Sequence, residues 1–124
     1  MILAIDPGVT SGIAWHDAKG YHTTITKDEG EIWALLTGIP WKCVVFETFA
    51  TSGRISAPGL HTVRLIGGIQ ALCRHLGIPT CAQTPQHRYP FQLSARKMLH
   101  GAVIHEQDAM AHLLRYENDH PEVQ

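Results

Sequence analysis

The chain has 124 residues, 44% of them hydrophobic, and a formal net charge of −1. That suffices for a single domain spanning 1–124 with its own core, and is too little for two. No apolar run reaches the length of a signal peptide or membrane span, so a cytoplasmic protein with no membrane partner is expected. The near-neutral average hides a segregation along the chain. Residues 1–50 carry three basic and six acidic side chains and 98–124 carry one and five, whereas 51–97 hold Arg54, Arg64, Arg74, Arg88, Arg96 and Lys97 and no acid. Such a stretch is a candidate phosphate-contacting surface. Cys43, Cys73 and Cys81 form no CxxC or CxxH pair, so they read as buried apolar side chains rather than a disulfide framework or zinc site.

Taken in chain order, Ile2–Ile5 reads as a buried strand ending in the turn Asp6-Pro7-Gly8. Gly12–His16 and Tyr21–Thr26 follow as strands, joined by hairpin-turn residues Asp17–Gly20. Asp28–Leu36 reads as a short helix capped by Asp28 and stopped by Gly38 and Pro40. Lys42–Glu47 is the most strand-like run, followed by a loop over Thr48–Gly59. Leu60–Leu76 keeps helical spacing of its apolar residues and ends at Gly77-Ile78-Pro79, after which Pro79–Gln83 is a fifth short strand. Pro85 and Pro90 are expected to block regular structure early in Thr84–His100, with a short helix at Ser94–Leu99. His105–Tyr116 is an amphipathic helix, and a fraying polar tail is expected beyond it. A meander followed by alternating helices and strands implies an α/β fold, a mixed sheet covered on both faces.

Two acids stand at strand ends: Asp6 after the first strand and Glu47 after the apolar run Cys43–Phe46. If those strands are parallel neighbours, both carboxylates sit where open sheets place their ligands. His105 and Asp108 are three positions apart at the start of the last helix and share a face, while Glu106 is turned away by about 100°. Carboxylates with at most one imidazole suit Mg²⁺ or Mn²⁺ better than zinc or copper. Two such ions roughly 4 Å apart can activate a water and stabilise the departing oxygen in hydrolysis of a phosphodiester. Ser11, Ser52, Ser56 and Ser94 all sit in turn or cap contexts and do not compete as nucleophiles.

Ile5-Asp6-Pro7-Gly8 with Thr10-Ser11-Gly12-Ile13-Ala14, Val44-Val45-Phe46-Glu47, and His105-Glu106-Gln107-Asp108-Ala109-Met110-Ala111 resemble the motifs of the RuvC family of Holliday-junction resolvases, within the RNase H-like superfamily. The resemblance implies a five-stranded mixed sheet of order 3-2-1-4-5 flanked by helices. It implies that Asp6, Glu47, His105 and Asp108 are the metal-binding and catalytic residues of an endonuclease using two Mg²⁺ or Mn²⁺ ions. It also implies a homodimer that resolves four-way DNA junctions by paired symmetric nicks. The chain is shorter than the usual bacterial members, which implies a compact form of the phage type.

After Glu47, Phe49 is a candidate to stack on an unpaired base, or an ordinary core residue, and Arg54 a candidate phosphate contact. Arg96 and Lys97, before the last motif, are further candidate DNA contacts, with a solvated helix face as the plain alternative. Gly67-Gly68, which costs roughly 2 kcal/mol of helix propensity, fits either close approach of a partner helix or packing on the sheet. His105 is expected to act as a neutral ligand or proton carrier, so activity is expected to fall as the pH drops through the ordinary histidine range. The rival readings are another RNase H-like nuclease acting on branched DNA or structured RNA, an actin-like ATPase lacking its second phosphate loop, and a non-catalytic nucleic-acid-binding module.

Overall fold

In a computed structural model of the protein, which describes residues 1–48, 56–101 and 103–123, the meander and the alternating elements are present as expected. The strands are β1 (Ile2–Asp6), β2 (Ser11–Asp17), β3 (Gly20–Thr26), β4 (Cys43–Glu47) and β5 (Thr80–Gln83). The α-helices are α1 (Glu29–Gly38), α2 (Ala57–Leu76), α3 (Gln92–Met98) and α4 (Ile104–Asp119), with 3₁₀ segments at Pro85–Phe91 and Pro121–Val123. The sheet runs β3-β2-β1-β4-β5, the 3-2-1-4-5 order expected from the resemblance. β1 pairs antiparallel with β2 and parallel with β4, and β4 pairs parallel with β5.

The pleat divides the strand residues between two cores. Leu3, Ile5, Ile13, Val44 and Phe46 pack with Ile32 and Leu36 of α1 and Leu65, Ile69 and Cys73 of α2. Ile2, Ala4, Ala14, Cys43 and Val45 face the other way, against Ala95 of α3 and Ala109, Met110, Leu113 and Tyr116 of α4. Continuous apolar runs in β1 and β4 follow from this, because both faces of the central strands are covered. Each fully buried Leu, Ile or Phe contributes roughly 1.5–3 kcal/mol.

Helix ends are set by local chemistry. Asp28 accepts a hydrogen bond from the Gly30 amide at 2.9 Å and caps α1. Gly77 ends α2 in the left-handed region at φ 72°, where its amide and that of Ile78 satisfy the last carbonyls. Cys43, Cys73 and Cys81 are free thiols, the first two buried and the third half-buried.

Three regions differ from expectation by more than two residues or in kind. α2 begins at Ala57 rather than Leu60: Ser56 caps it, its Oγ accepting from the Gly59 amide at 3.2 Å, and Pro58 sits in the first turn, where a missing N–H costs nothing. Pro85–Phe91 is a regular 3₁₀ segment with Pro90 inside it, and α3 starts at once from Gln92. α4 continues to Asp119 instead of fraying after Tyr116, because Glu117 is only 5% exposed. Tyr21 donates to its Oε1 at 2.6 Å, and His16 Nδ1 lies 2.8 Å from its Oε2. Gly68 lies against α1 rather than on the sheet: a Cβ there would come within 2.8 Å of the Trp33 ring, whereas a Cβ on Gly67 would meet nothing.

Candidate active site

Strand register builds the floor of the site. Ile5 is level with Phe46 in the parallel β1/β4 pair, so the next residues, Asp6 and Glu47, stand side by side, and Glu47 is level with Gln83 of β5. By the alternation of the pleat, all three point to the face that α4 covers, as Ala4, Val45 and Cys81 do before them. The ends of three adjacent strands thus present carboxylate, carboxylate and amide in one row.

α4 forms the roof. Its first turn rests so closely on β2 that a Cβ on Gly12 would lie 1.9 Å from the His105 carbonyl oxygen. Only glycine fits there, which gives the glycine of the first motif a steric reason. His105, Asp108 and His112 stand at i, i+3 and i+7 and line one stripe of α4. Glu106 points elsewhere, as the helical spacing predicted, and accepts from Thr23 Oγ1 of β3 at 2.6 Å. His105 is the exposed lip, its side chain 44% accessible, with Nδ1 3.4 Å from Asp6 Oδ2. Asp108 is buried.

Three side chains not singled out from the sequence as site residues complete the arrangement. Arg88, on the 3₁₀ segment, places Nη1 2.5 Å from Asp108 Oδ2 and 3.6 Å from Glu47 Oε1. His112 is fully buried, with Nδ1 2.7 Å from Gln83 Oε1 and Nε2 3.5 Å from Glu47 Oε1. The Nδ1–H therefore donates to the Gln83 amide oxygen, which aims Nε2 at Glu47. His112 was within reach of the sequence, four positions past Asp108, and Gln83 too, as the last residue of an anticipated strand. Arg88 was not, since its direction depends on the path between two prolines.

Proton affinities follow from this crowding. Burial, then the Glu47 carboxylate as hydrogen-bond partner and as neighbouring charge, hold the Asp6 carboxyl far above the ordinary carboxylate range. Burial alone would raise Glu47 as well. His112, the proton on Asp6 and the charge of Arg88 outweigh it and hold Glu47 below that range. Asp6 and Glu47 thus share one proton. Burial also raises Asp108, with Arg88 opposing it.

The donor chemistry fits a hard divalent cation: three carboxylates and an imidazole border the site, and Glu47 Oε1 is a buried acceptor with no hydrogen-bond partner among the described residues. The side chains are nonetheless not drawn together as a cation would draw them. Among the described residues no three Asp, Glu, His or Cys side chains converge on one point, and Arg88 stands between Glu47 and Asp108. Of the expected DNA contacts, Arg96 and Lys97 are exposed in the last turn of α3, while Phe49 and Arg54 lie outside the described residues.

No protein-family model matches the sequence, and no curated protein does. The likeness lies in structure. RuvC of Thermus thermophilus, solved in complex with a Holliday junction substrate, superposes with a TM-score of 0.72 over 92% of this chain and 90% of that one, at 16% identity. The fold is that of the RuvC resolvases. A second RuvC structure from the same organism gives 0.66 over 92% of this chain and 91% of that one, at 18% identity. The Fowlpox virus resolvase, solved with substrate Holliday junction DNA, gives 0.64 over 96% and 99% at 11% identity. The overlap takes in nine-tenths or more of this chain and of each of these three structures. No helix among the described residues is long and apolar enough to cross a membrane.

Proposed function

We propose that the chain is a structure-specific endonuclease of the RuvC type that resolves four-way DNA junctions. The observation that carries this reading is the pair of in-register strand-end carboxylates, Asp6 and Glu47, roofed by a helix that delivers Asp108 and His105 in a fold shared with resolvases solved on junction DNA. In this reading Asp6, Glu47, His105 and Asp108 hold two Mg²⁺ or Mn²⁺ ions, which supply an activated water and a counter-charge for the departing oxygen. The buried row keeps the carboxylates in place, and His112, fixed by Gln83, lies behind Glu47. His105, at the accessible lip, is placed to carry a proton between the site and solvent.

Arg96 and Lys97 take phosphates beside the cut, Arg54 another, and Phe49 stacks on a base unpaired at the crossover. The active unit is a homodimer, since two sites about one two-fold axis match the symmetry of paired nicks. Leu60 and Val63 of α2 are exposed, and with the open Gly67 they make a face on which a partner helix can lie closely.

The test is cleavage of a four-way junction, a flap and a structured RNA in Mn²⁺, with the parent protein and Asp6→Asn. The junction is expected to be nicked in symmetric pairs. Asp6→Asn should lose cleavage by roughly a thousandfold, the several kcal/mol of charge stabilisation that metal ions supply, while still retarding the junction in a gel. Undiminished cutting by the variant sinks the site assignment. Preference for RNA or for the flap points to a different RNase H-like nuclease.

A further inference from the structure

Arg88 is a cation inside a site whose other charged members are acids. Its Nη1 touches Asp108 at 2.5 Å and lies 3.6 Å from Glu47, and the side chain is only 19% exposed. Its Nε is buried with no hydrogen-bond partner among the described residues, and among them the ion pairs of the guanidinium are those of Nη1 with the two carboxylates. A guanidinium nitrogen set between two carboxylates neutralises much of their repulsion, as a metal ion between them would, and without the dehydration that Mg²⁺ demands. The segment that carries it, Pro85–Phe91, packs on α4 between β5 and α3 and is not part of the sheet.

We propose that Arg88 is a resident counter-cation that competes with the divalent metal for Glu47 and Asp108, so that loading the site requires the guanidinium to leave. This rests on the reading of those acids as metal ligands. While Arg88 is in place Glu47 and Asp108 lie about a guanidinium, and no ligand cage exists among the described residues. The measured affinity for metal is then the intrinsic affinity reduced by the fraction of molecules in which Arg88 has swung away. Once released from Asp108, the guanidinium lies beside the loaded site, where bidentate hydrogen bonding suits it to a phosphate. The same side chain therefore makes metal entry and DNA arrival cooperative: a phosphate that holds Arg88 away from Asp108 also clears the position for the ion.

The experiment is titration of metal-free protein with Mn²⁺ in the absence of DNA, followed by calorimetry and by the rise in Tm on adding the ion. It uses the parent, Arg88→Gln, Arg88→Lys and Arg74→Gln. The last removes the same charge from an exposed position in the final turn of α2. Arg88→Gln should bind Mn²⁺ about tenfold more tightly and gain more in Tm on loading, Arg88→Lys should fall between it and the parent, and Arg74→Gln should match the parent. Should Arg88→Gln prove unfolded by circular dichroism, the lysine variant decides in the same direction. Unchanged or weaker binding by a folded Arg88 variant overturns the proposal. So does equal tightening by Arg74→Gln, which would make it an effect of net charge, or a Mn²⁺-bound structure with Arg88 still bridging the two acids. A parent protein that binds no Mn²⁺ at all overturns the metal-site reading itself, a result distinct from the others, and this proposal falls with it.

Discussion

Asp6 and Glu47 stand side by side on adjacent strands, and one proton between them is what makes that tolerable without a cation. The consequence for stability has a definite sign. The folded protein holds the Asp6 proton more tightly than the unfolded chain, whose value is near 3.8. The Asp6 contribution to the stability of the metal-free protein should therefore be full below that value and be lost as the pH rises from it towards the raised folded value. Asp6→Asn removes this loss. In chelator at pH 7 its Tm should exceed the parent's by several degrees, roughly 3–5 °C for each kcal/mol in a domain of this size, and the two should converge near pH 4. Equal melting temperatures at both pH values would mean the acids are not crowded. The strand-end acids and the His105/Asp108 pair were legible in the sequence because each follows from a short, strongly periodic element. The Gln83–His112 support was legible in principle, because the pleat and the helical repeat fix both positions. Arg88 was not, since a 3₁₀ segment held by Pro85 and Pro90 carries no apolar periodicity that would say which way the arginine faces.

At the scale of elements, each strand could be read from the sequence to within one residue at its ends, because β1 and β4 are apolar on both faces and the hairpin turn is explicit, while the sheet order was implied by the family resemblance. The tail of α4 could not. Its end is set by a long-range cluster in which Glu117 meets Tyr21 and His16, and no local signal announces a buried acid. α4 approaches β2 closely at Gly12, where a Cβ would meet the His105 carbonyl. Gly12→Ala should push the first turn of α4 away from the sheet, costing roughly 1–3 kcal/mol in urea denaturation and lowering cleavage through displaced His105 and Asp108. Unchanged stability would show that the contact is loose. The two glycines of α2 should separate in the same kind of measurement. Gly67→Ala meets open space and should stabilise the isolated monomer by up to about 1 kcal/mol. Gly68→Ala should lose that gain against Trp33. If α2 is the dimer face, Gly67→Ala should also weaken self-association in sedimentation, the opposite direction to its effect on the monomer.

For the molecule as a whole, charge segregation decides how it meets a polyanion. The net charge of −1 gives little long-range attraction, so the DNA affinity that the proposed function requires would come from local basic groups near the acidic site. Arg96 and Lys97 are the described candidates on α3, the helix that starts where the Arg88 segment stops. Removing both as Arg96→Ala and Lys97→Ala should flatten the dependence of junction binding on salt by a slope of about 1.8, twice the value for one phosphate contact. A slope equal to the parent's would mean both side chains are merely solvated.

The ties of α4 to β3 have a mechanical meaning. Glu106 is bonded to Thr23 near the helix's start and Glu117 to Tyr21 near its end, so the helix behaves as a beam clamped at both supports. A clamped beam neither pivots nor slides. Among the described residues, the yielding that the proposed function requires is expected from the opposite side of the site, the Pro85–Phe91 segment, and amide hydrogens there should exchange with solvent well before those of α4.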